Sequence, residues 1–153
     1  MNSSMSSEYP HPQVEVRFRI SGEFDPDEVT RITGVVPSSR ARRGERIRTA
    51  SVIIPIEDRW TLKSEDVEPM DGTSQVEARV RRLWGLRESL LAVKATFPST
   101  AMGVTPVAYV PSHAHSAVPN LSPDNDTLRQ LADLGIDFGI DYMLLGPEDE
   151  RDS

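Results

Sequence analysis

The first patterned stretch of the chain, VEVRFRI at residues 14–20, alternates apolar and charged positions with a period of two. Val14, Val16, Phe18 and Ile20 share one face and Glu15, Arg17 and Arg19 the other, which predicts a half-buried strand. Ser21, Gly22 and Glu23 turn the chain into FDPDEVTRITGV, residues 24–35, where the period becomes helical. Asp25 stands at the N-cap, Pro26 at the first helical position, and Glu28 at the spacing of a capping box. Phe24 and Val29 flank the cap as a hydrophobic staple, Gly34 supplies a left-handed exit, and Val35 packs back.

Further along, SVIIPI at residues 51–56 reads as a β-branched strand that Pro55 confines to an edge or a bulge, with RWTL continuing it after a turn. The longest helical period begins at a second capping box, Ser74 with Glu77. Val76, Val80, Leu83, Leu86, Leu90, Val93 and Phe97 then recur at steps of three and four, forming one buried stripe that Pro98 ends. Gly85 inside this run predicts a kink or a close approach. VTPVAYV at residues 104–110 is a third strand, weakened by Pro106. LSPDNDTLRQLADLGI, residues 121–136, repeats the opening unit: Ser122 as cap, Pro123 in the first turn, Leu128, Leu131, Ala132 and Leu134 facing inward, and Gly135 at the exit. IDFGIDY at residues 136–142 closes the pattern, alternating Ile136, Phe138, Ile140 and Tyr142 against Asp137, Gly139 and Asp141. Residues 36–50 and the polar KSEDVEPMDGT are connections.

This order predicts an α/β (α+β) fold, a two-layer sandwich in which a four- to five-stranded mixed sheet carries three helices mainly on one face. The first and last strands are expected side by side, with the two proline-bearing strands nearer the edges. A chain of 153 residues suits one domain, expected over residues 14–145, between a disordered tail at 1–13 and an acidic disordered tail at 146–153.

Composition narrows the function classes. Hydrophobic residues make up 37% and charged residues 27%, enough apolar content for a packed soluble domain. A net charge of −7 argues against a nucleic-acid binder, which needs a basic face to neutralise phosphates. The uncharged runs fall far short of the roughly 20 residues that span a bilayer, and MNSSMSSEYPHPQ has neither the basic start nor the apolar run of a secretory signal. The absence of cysteine excludes disulfides and thiolate chemistry and fits a cytoplasmic protein.

The strand VRFRISGEF running into DPDEVTRITGVVP, a loop glycine at Gly44, the WTL strand, a long amphipathic helix and the closing LSPDNDTLRQLADLGIDFGIDY together resemble the bacterial domain-of-unknown-function family numbered 4279. The resemblance spans roughly residues 14–143. It implies an α/β fold and brings no established activity, catalytic residue or cofactor. Some small bacterial families of this kind are immunity proteins against secreted toxins, an analogy that no motif here carries.

Three sets of residues are candidates for chemistry. Arg40, Arg42, Arg43, Arg46 and Arg48 form a basic cluster in an acidic chain, suited to an acidic protein surface or a phosphate, or else simply a solvated loop balancing nearby carboxylates. His113 and His115 are weak metal-ligand candidates in a proline- and serine-rich loop, with His11 or an aspartate as a third ligand. Arg17 and Arg19 on the first strand and Asp137 and Asp141 on the last would face each other if those strands are neighbours, as ordinary cross-strand pairs or as the walls of a charged groove. The twice-used helix unit is a scaffold: Asp25, Asp27, Glu28, Asp124 and Asp126 already occupy the positive ends and would repel a phosphate. Trp60 and Trp84 read as packing residues. No catalytic set and no cofactor is implied. The pattern therefore points to a non-enzymatic protein-interaction module, of the immunity-inhibitor kind, with a protein partner; the alternative is a small-molecule-binding domain or minor enzyme using the polar face of the sheet.

Overall fold

The computed structural model describes residues 13–45, 54–64, 71–111 and 121–145. The N- and C-terminal tails, Arg46, Arg48, His113 and His115 lie outside these residues. The elements run β1 (Gln13–Gly22), α1 (Pro26–Thr33), β2 (Ser39–Ala41), β3 (Asp58–Lys63), α2 (Gly72–Gly85), α3 (Arg87–Thr96), β4 (Ala101–Pro111), α4 (Asn125–Leu134), β5 (Asp137–Phe138) and β6 (Asp141–Leu145). They form a mixed sheet in the order β2-β3-β1-β4-β5, with β6 also paired to β4. The pairs β2–β3, β3–β1 and β1–β4 are antiparallel, and β4 pairs in parallel with β5 and β6.

The expected two-layer α+β class holds, because alternation sorts each central strand into two faces. Val16, Phe18 and Ile20 of β1, Trp60 and Leu62 of β3, and Met102 and Val104 of β4 join one core cluster. Val29 of α1, Val76, Val80 and Leu83 of α2, Leu90 and Val93 of α3, and Leu131 and Leu134 of α4 complete it. Phe18 meets Trp60 edge to face, ring centroids 6.3 Å apart, and the Trp60 indole N–H donates to Thr30 Oγ1 at 3.0 Å, fastening α1 to β3. Lys94 Nζ, from α3, donates to the carbonyls of Leu134 and Gly135 at 2.6 and 3.0 Å, placing a cation on the negative end of α4. The odd-numbered side chains of β1 and β4 point to the opposite face.

Several sequence-based boundaries shift for identifiable reasons. The first and last strands are not neighbours, because β4 lies between β1 and the β5–β6 pair. Pro106 is therefore in a central strand rather than near an edge. Its partner in β1 is Val16, whose N–H donates to Ser64 Oγ and whose carbonyl accepts from Ser64 N–H, so Val16 spends its hydrogen bonds on the β3 side. The Val16–Pro106 pair needs no donor from Pro106. The other side of Pro106 faces the interval between β5 and β6, residues 139–140, where no ladder bond is required. The last strand is thus two pieces, and with β2 the described sheet has six strands rather than four or five.

The long helix is two helices. Leu86, at φ −100° and ψ 13°, closes a tight turn with its N–H on the Leu83 carbonyl, just after Gly85, and the helices become four rather than three. Its first cap is Asp71, whose carboxylate accepts from Ser74 N–H at 2.8 Å, rather than Ser74 itself. Likewise α4 is capped by Asp124, which accepts from Thr127 N–H at 2.8 Å, not by Ser122. Pro123 therefore precedes that cap, whereas Pro26 follows Asp25, and the two copies of the unit differ by this offset. Leu128 and Ala132 are exposed, and Thr127, Leu131 and Leu134 are the buried face of α4. Gly34 and Gly135 do take the left-handed exits, at φ 69° and 65°. The described end of SVIIPI is not a strand: Ile54 and Ile56 are exposed, and pairing begins at Asp58, whose carboxylate accepts from Phe24 N–H and Arg43 N–H.

Leu90 is buried and Leu91 is half exposed, which makes a controlled pair. Leu90→Ala is expected to lower stability by about 2–5 kcal/mol, and Leu91→Ala to stay within about 0.5 kcal/mol, as measured by urea unfolding. The caps predict a pH dependence. Hydrogen bonds from Ser74 hold the Asp71 carboxyl below its ordinary 3.8, and those from Thr127 do the same for Asp124. A lowered folded value means stability that is complete above the ordinary value and lost as pH falls through the folded one. Asp71→Asn/Asp124→Asn, which keeps a good cap, is therefore expected to flatten the acid limb of a stability–pH curve while changing neutral stability little.

Candidate binding groove

The odd positions of β1 and β4 line a groove of about 240 Å³ on the sheet face opposite the helices. Its floor is Gly103, Thr105 and Val107 of β4. Arg17 and Arg19 of β1 form one wall, and Asp137 of β5 and Asp141 of β6 the other. The register explains the convergence. Arg19, Gly103 and Asp137 occupy one row across three strands, Arg17 stands opposite Thr105, and Asp141 stands opposite Val107. Arginines and aspartates are thus separated by a whole strand, about 9–10 Å between backbones. They face each other across a gap instead of forming adjacent cross-strand pairs.

The two arginines differ in their electrostatics. Arg17 Nη2 lies 2.8 Å from Glu15 Oε2 and donates to the Tyr109 hydroxyl at 2.9 Å, and that hydroxyl donates in turn to Glu15 at 3.2 Å. Partial burial is the largest single influence on Arg17 and opposes its charge, but Glu15 and Tyr109 together outweigh it and hold the guanidinium more firmly protonated than usual. Arg19 makes no hydrogen bond or ion pair among the described residues. Its pKa is lowered, first by burial and then by the neighbouring charges of Arg59 and Arg17, with Glu57 only partly compensating. Arg59 Nε is buried without a hydrogen bond, its nearest acidic oxygen being Glu57 Oε1 at 3.5 Å. The Asp137 and Asp141 carboxylates likewise make no hydrogen bond or ion pair among the described residues.

The described part of the arginine loop is engaged within the chain. Arg40 pairs with Asp27, Arg42 Nη2 reaches Asp27 and Asp25 at 2.6 and 3.1 Å, and Arg43 reaches Glu23 at 3.2 Å. Desolvation is the largest single influence on Arg42 and opposes its charge, but Asp25 and Asp27 together outweigh it and raise its pKa. These arginines fold back on the acids at the start of α1. Among the described residues no group of His, Asp and Glu is arranged to hold a metal, and His113 and His115 are not among them. No helix of the described residues is long and apolar enough to cross a membrane.

Sequence reasoning named both walls of the groove, Arg17 with Arg19 and Asp137 with Asp141, but placed their strands in direct contact. It missed the floor. Gly103 lies outside the apolar pattern at residues 104–110, and its role follows from a missing side chain that hydropathy does not register. It also missed Tyr109, whose phenol, made a weaker acid chiefly by burial, links Arg17 to Glu15.

Fold and groove define a two-layer α+β domain with one sheet face covered by helices and the other, among the described residues, carrying the polar furrow. The chain belongs to the family described as Domain of unknown function (DUF4279), which matches residues 12–145. Comparison with curated proteins and with solved structures found no match. The Glu15–Arg17–Tyr109 network yields a direct prediction. Tyr109→Phe removes one shared hydroxyl from a partly buried charged pair and is expected to cost about 1 kcal/mol, measured by urea unfolding.

Proposed function

We propose that this protein is a non-enzymatic binding module, of the interaction or immunity-inhibitor kind, that recognises a charged protein partner through the open face of its sheet. The observation that carries the reading is the groove itself: uncompensated Arg19 and the free carboxylates Asp137 and Asp141 stand on opposite walls of one furrow. Charges of both signs held apart on a rigid sheet suit recognition of a complementary surface, with specificity and association rate set by charge. The loop arginines support the same choice of surface, since Arg40, Arg42 and Arg43 already have acidic partners within the chain. A second reading is a small-molecule-binding domain or minor enzyme; it draws on the concavity of the polar sheet face, although the furrow's volume of about 240 Å³ falls below the roughly 300–1,000 Å³ usual for ligand pockets.

Because Ser39–Ala41 is an edge strand of the sheet, the loop is best probed by point substitutions rather than by excision. Tagged protein exposed to extract from its host is expected to retain a stoichiometric partner at low salt and release it at high salt. Arg19→Glu/Asp137→Lys should abolish retention, and Arg40→Glu/Arg43→Glu should leave it intact. The opposite pattern, with retention lost only in the loop variant, would transfer the recognition surface to the arginine loop.

A further inference from the structure

Charge accounting inside the groove specifies more than a surface. Arg17 is neutralised by Glu15, at 2.8 Å, and held by Tyr109. Of the charged side chains that line the groove, those with no hydrogen bond or ion pair among the described residues are one guanidinium, Arg19, and two carboxylates, Asp137 and Asp141. A ligand that satisfies all of them carries one negative and two positive charges. A simple anion would meet Arg19 but face both carboxylates, and a simple cation would leave Arg19 uncompensated.

The geometry is consistent with that count. Arg19 and Asp137 lie at the two ends of one row, and the residue between them is Gly103. With no side chain there, the centre of the row is open; a Cβ built on Gly103 meets nothing nearer than the Asp137 carbonyl oxygen, at 3.7 Å. Asp141 lies four positions further along the same wall, about 13 Å away at strand rise. The floor between them carries the half-buried Thr105, whose hydroxyl can meet a polar group, while Val107 beneath is almost wholly buried and serves as backing. The volume of about 240 Å³ suits a ligand of amino-acid size.

We infer that the groove binds a free basic amino acid, its α-carboxylate on Arg19, its α-ammonium on Asp137 and its side-chain cation directed along the floor towards Asp141. The inference rests on the reading that the open face is the recognition surface, and it adds a ligand to that face independently of any protein partner. The guanidinium–carboxylate contact at Arg19 is the bidentate kind that makes arginine a selective carboxylate receptor.

The test is calorimetric titration of the full chain with L-arginine, L-lysine, glycine, L-glutamate, agmatine and Nα-acetyl-arginine, with thermal stabilisation as a second readout. Arginine and lysine are expected to bind saturably, and glycine and glutamate at least about tenfold more weakly. Agmatine lacks the carboxylate and Nα-acetyl-arginine the ammonium; each should lose about tenfold or more. Arg19→Gln should erase the difference between arginine and agmatine, and Asp137→Asn the difference between arginine and Nα-acetyl-arginine. These double comparisons assign each end of the ligand to its wall. Gly103→Val, a β-branched residue in a strand with ordinary backbone room for its Cβ, should fill the floor and abolish binding in a protein that still melts cooperatively. If that variant does not fold, the exposed Arg19→Gln carries the test alone.

Equal binding of arginine and agmatine would overturn the inference, as would no binding by any of the six compounds to folded protein. Should the amino acids fail while Arg19→Glu/Asp137→Lys still abolishes partner capture, the ligand assignment falls and the binding-module reading stands. If partner capture ignores the open face but arginine binds with the expected variant pattern, the reverse holds.

Discussion

The two-residue period of β1 is the constraint on which the fold and the groove both depend. Its even residues put Val16, Phe18 and Ile20 under the helices, and its odd residues put Arg17 and Arg19 on the open face. The same parity assigns its hydrogen bonds, as Val16 turns its backbone groups towards Ser64 beside β3. A slip of one residue would exchange the two faces, burying guanidinium groups and exposing Phe18. Core burial therefore protects the register of the site.

A break elsewhere in the sheet completes the furrow. Pro106 cannot donate to a neighbouring strand, and the chain beyond β4 pauses at residues 139–140 opposite it. Two residues is an even number, so Asp137 and Asp141 stay on the same face across the interval. A continuous strand would have kept that parity too, but it would have required a donor that Pro106 lacks. The parallel pairing of β5 and β6 to β4 follows from α4, which carries the chain back across the helical layer between them. With Gly103 in the central row, the result is a shallow channel whose walls are charged and whose floor is small.

The arginine loop shows how charge density can mislead. Five arginines within residues 40–48 look like a docking patch in an acidic chain. The three that are described turn inwards onto Asp25, Asp27 and Glu23, acids placed at and near the positive end of α1. That arrangement links a loop to a helix start by exposed ion pairs, which are individually weak and screened by salt. Arg19, a single charge in a modest pattern, lines the groove without an acidic partner among the described residues.

Much of this protein was legible in the chain because local rules decide it. Alternation identified β1 and the polar wall of β5 and β6, and Asp25, Pro26, Gly34 and Gly135 marked helix ends through backbone chemistry that acts within a few residues. The stripe from Val76 to Val93 located the helices that bury it, and Gly85 marked where they part. Local rules could not place β4 between β1 and the last strands, because strand order depends on which edges meet in three dimensions. They put Pro106 at an edge, since a missing donor is harmful only if a partner needs it, and that is known only once the partner is. Nor could they choose between Asp124 and Ser122 as a cap, where both side chains can accept the bond. The groove belongs to this second class: its residues lie far apart in sequence, and only the sheet brings Arg19, Gly103 and Asp137 into one row.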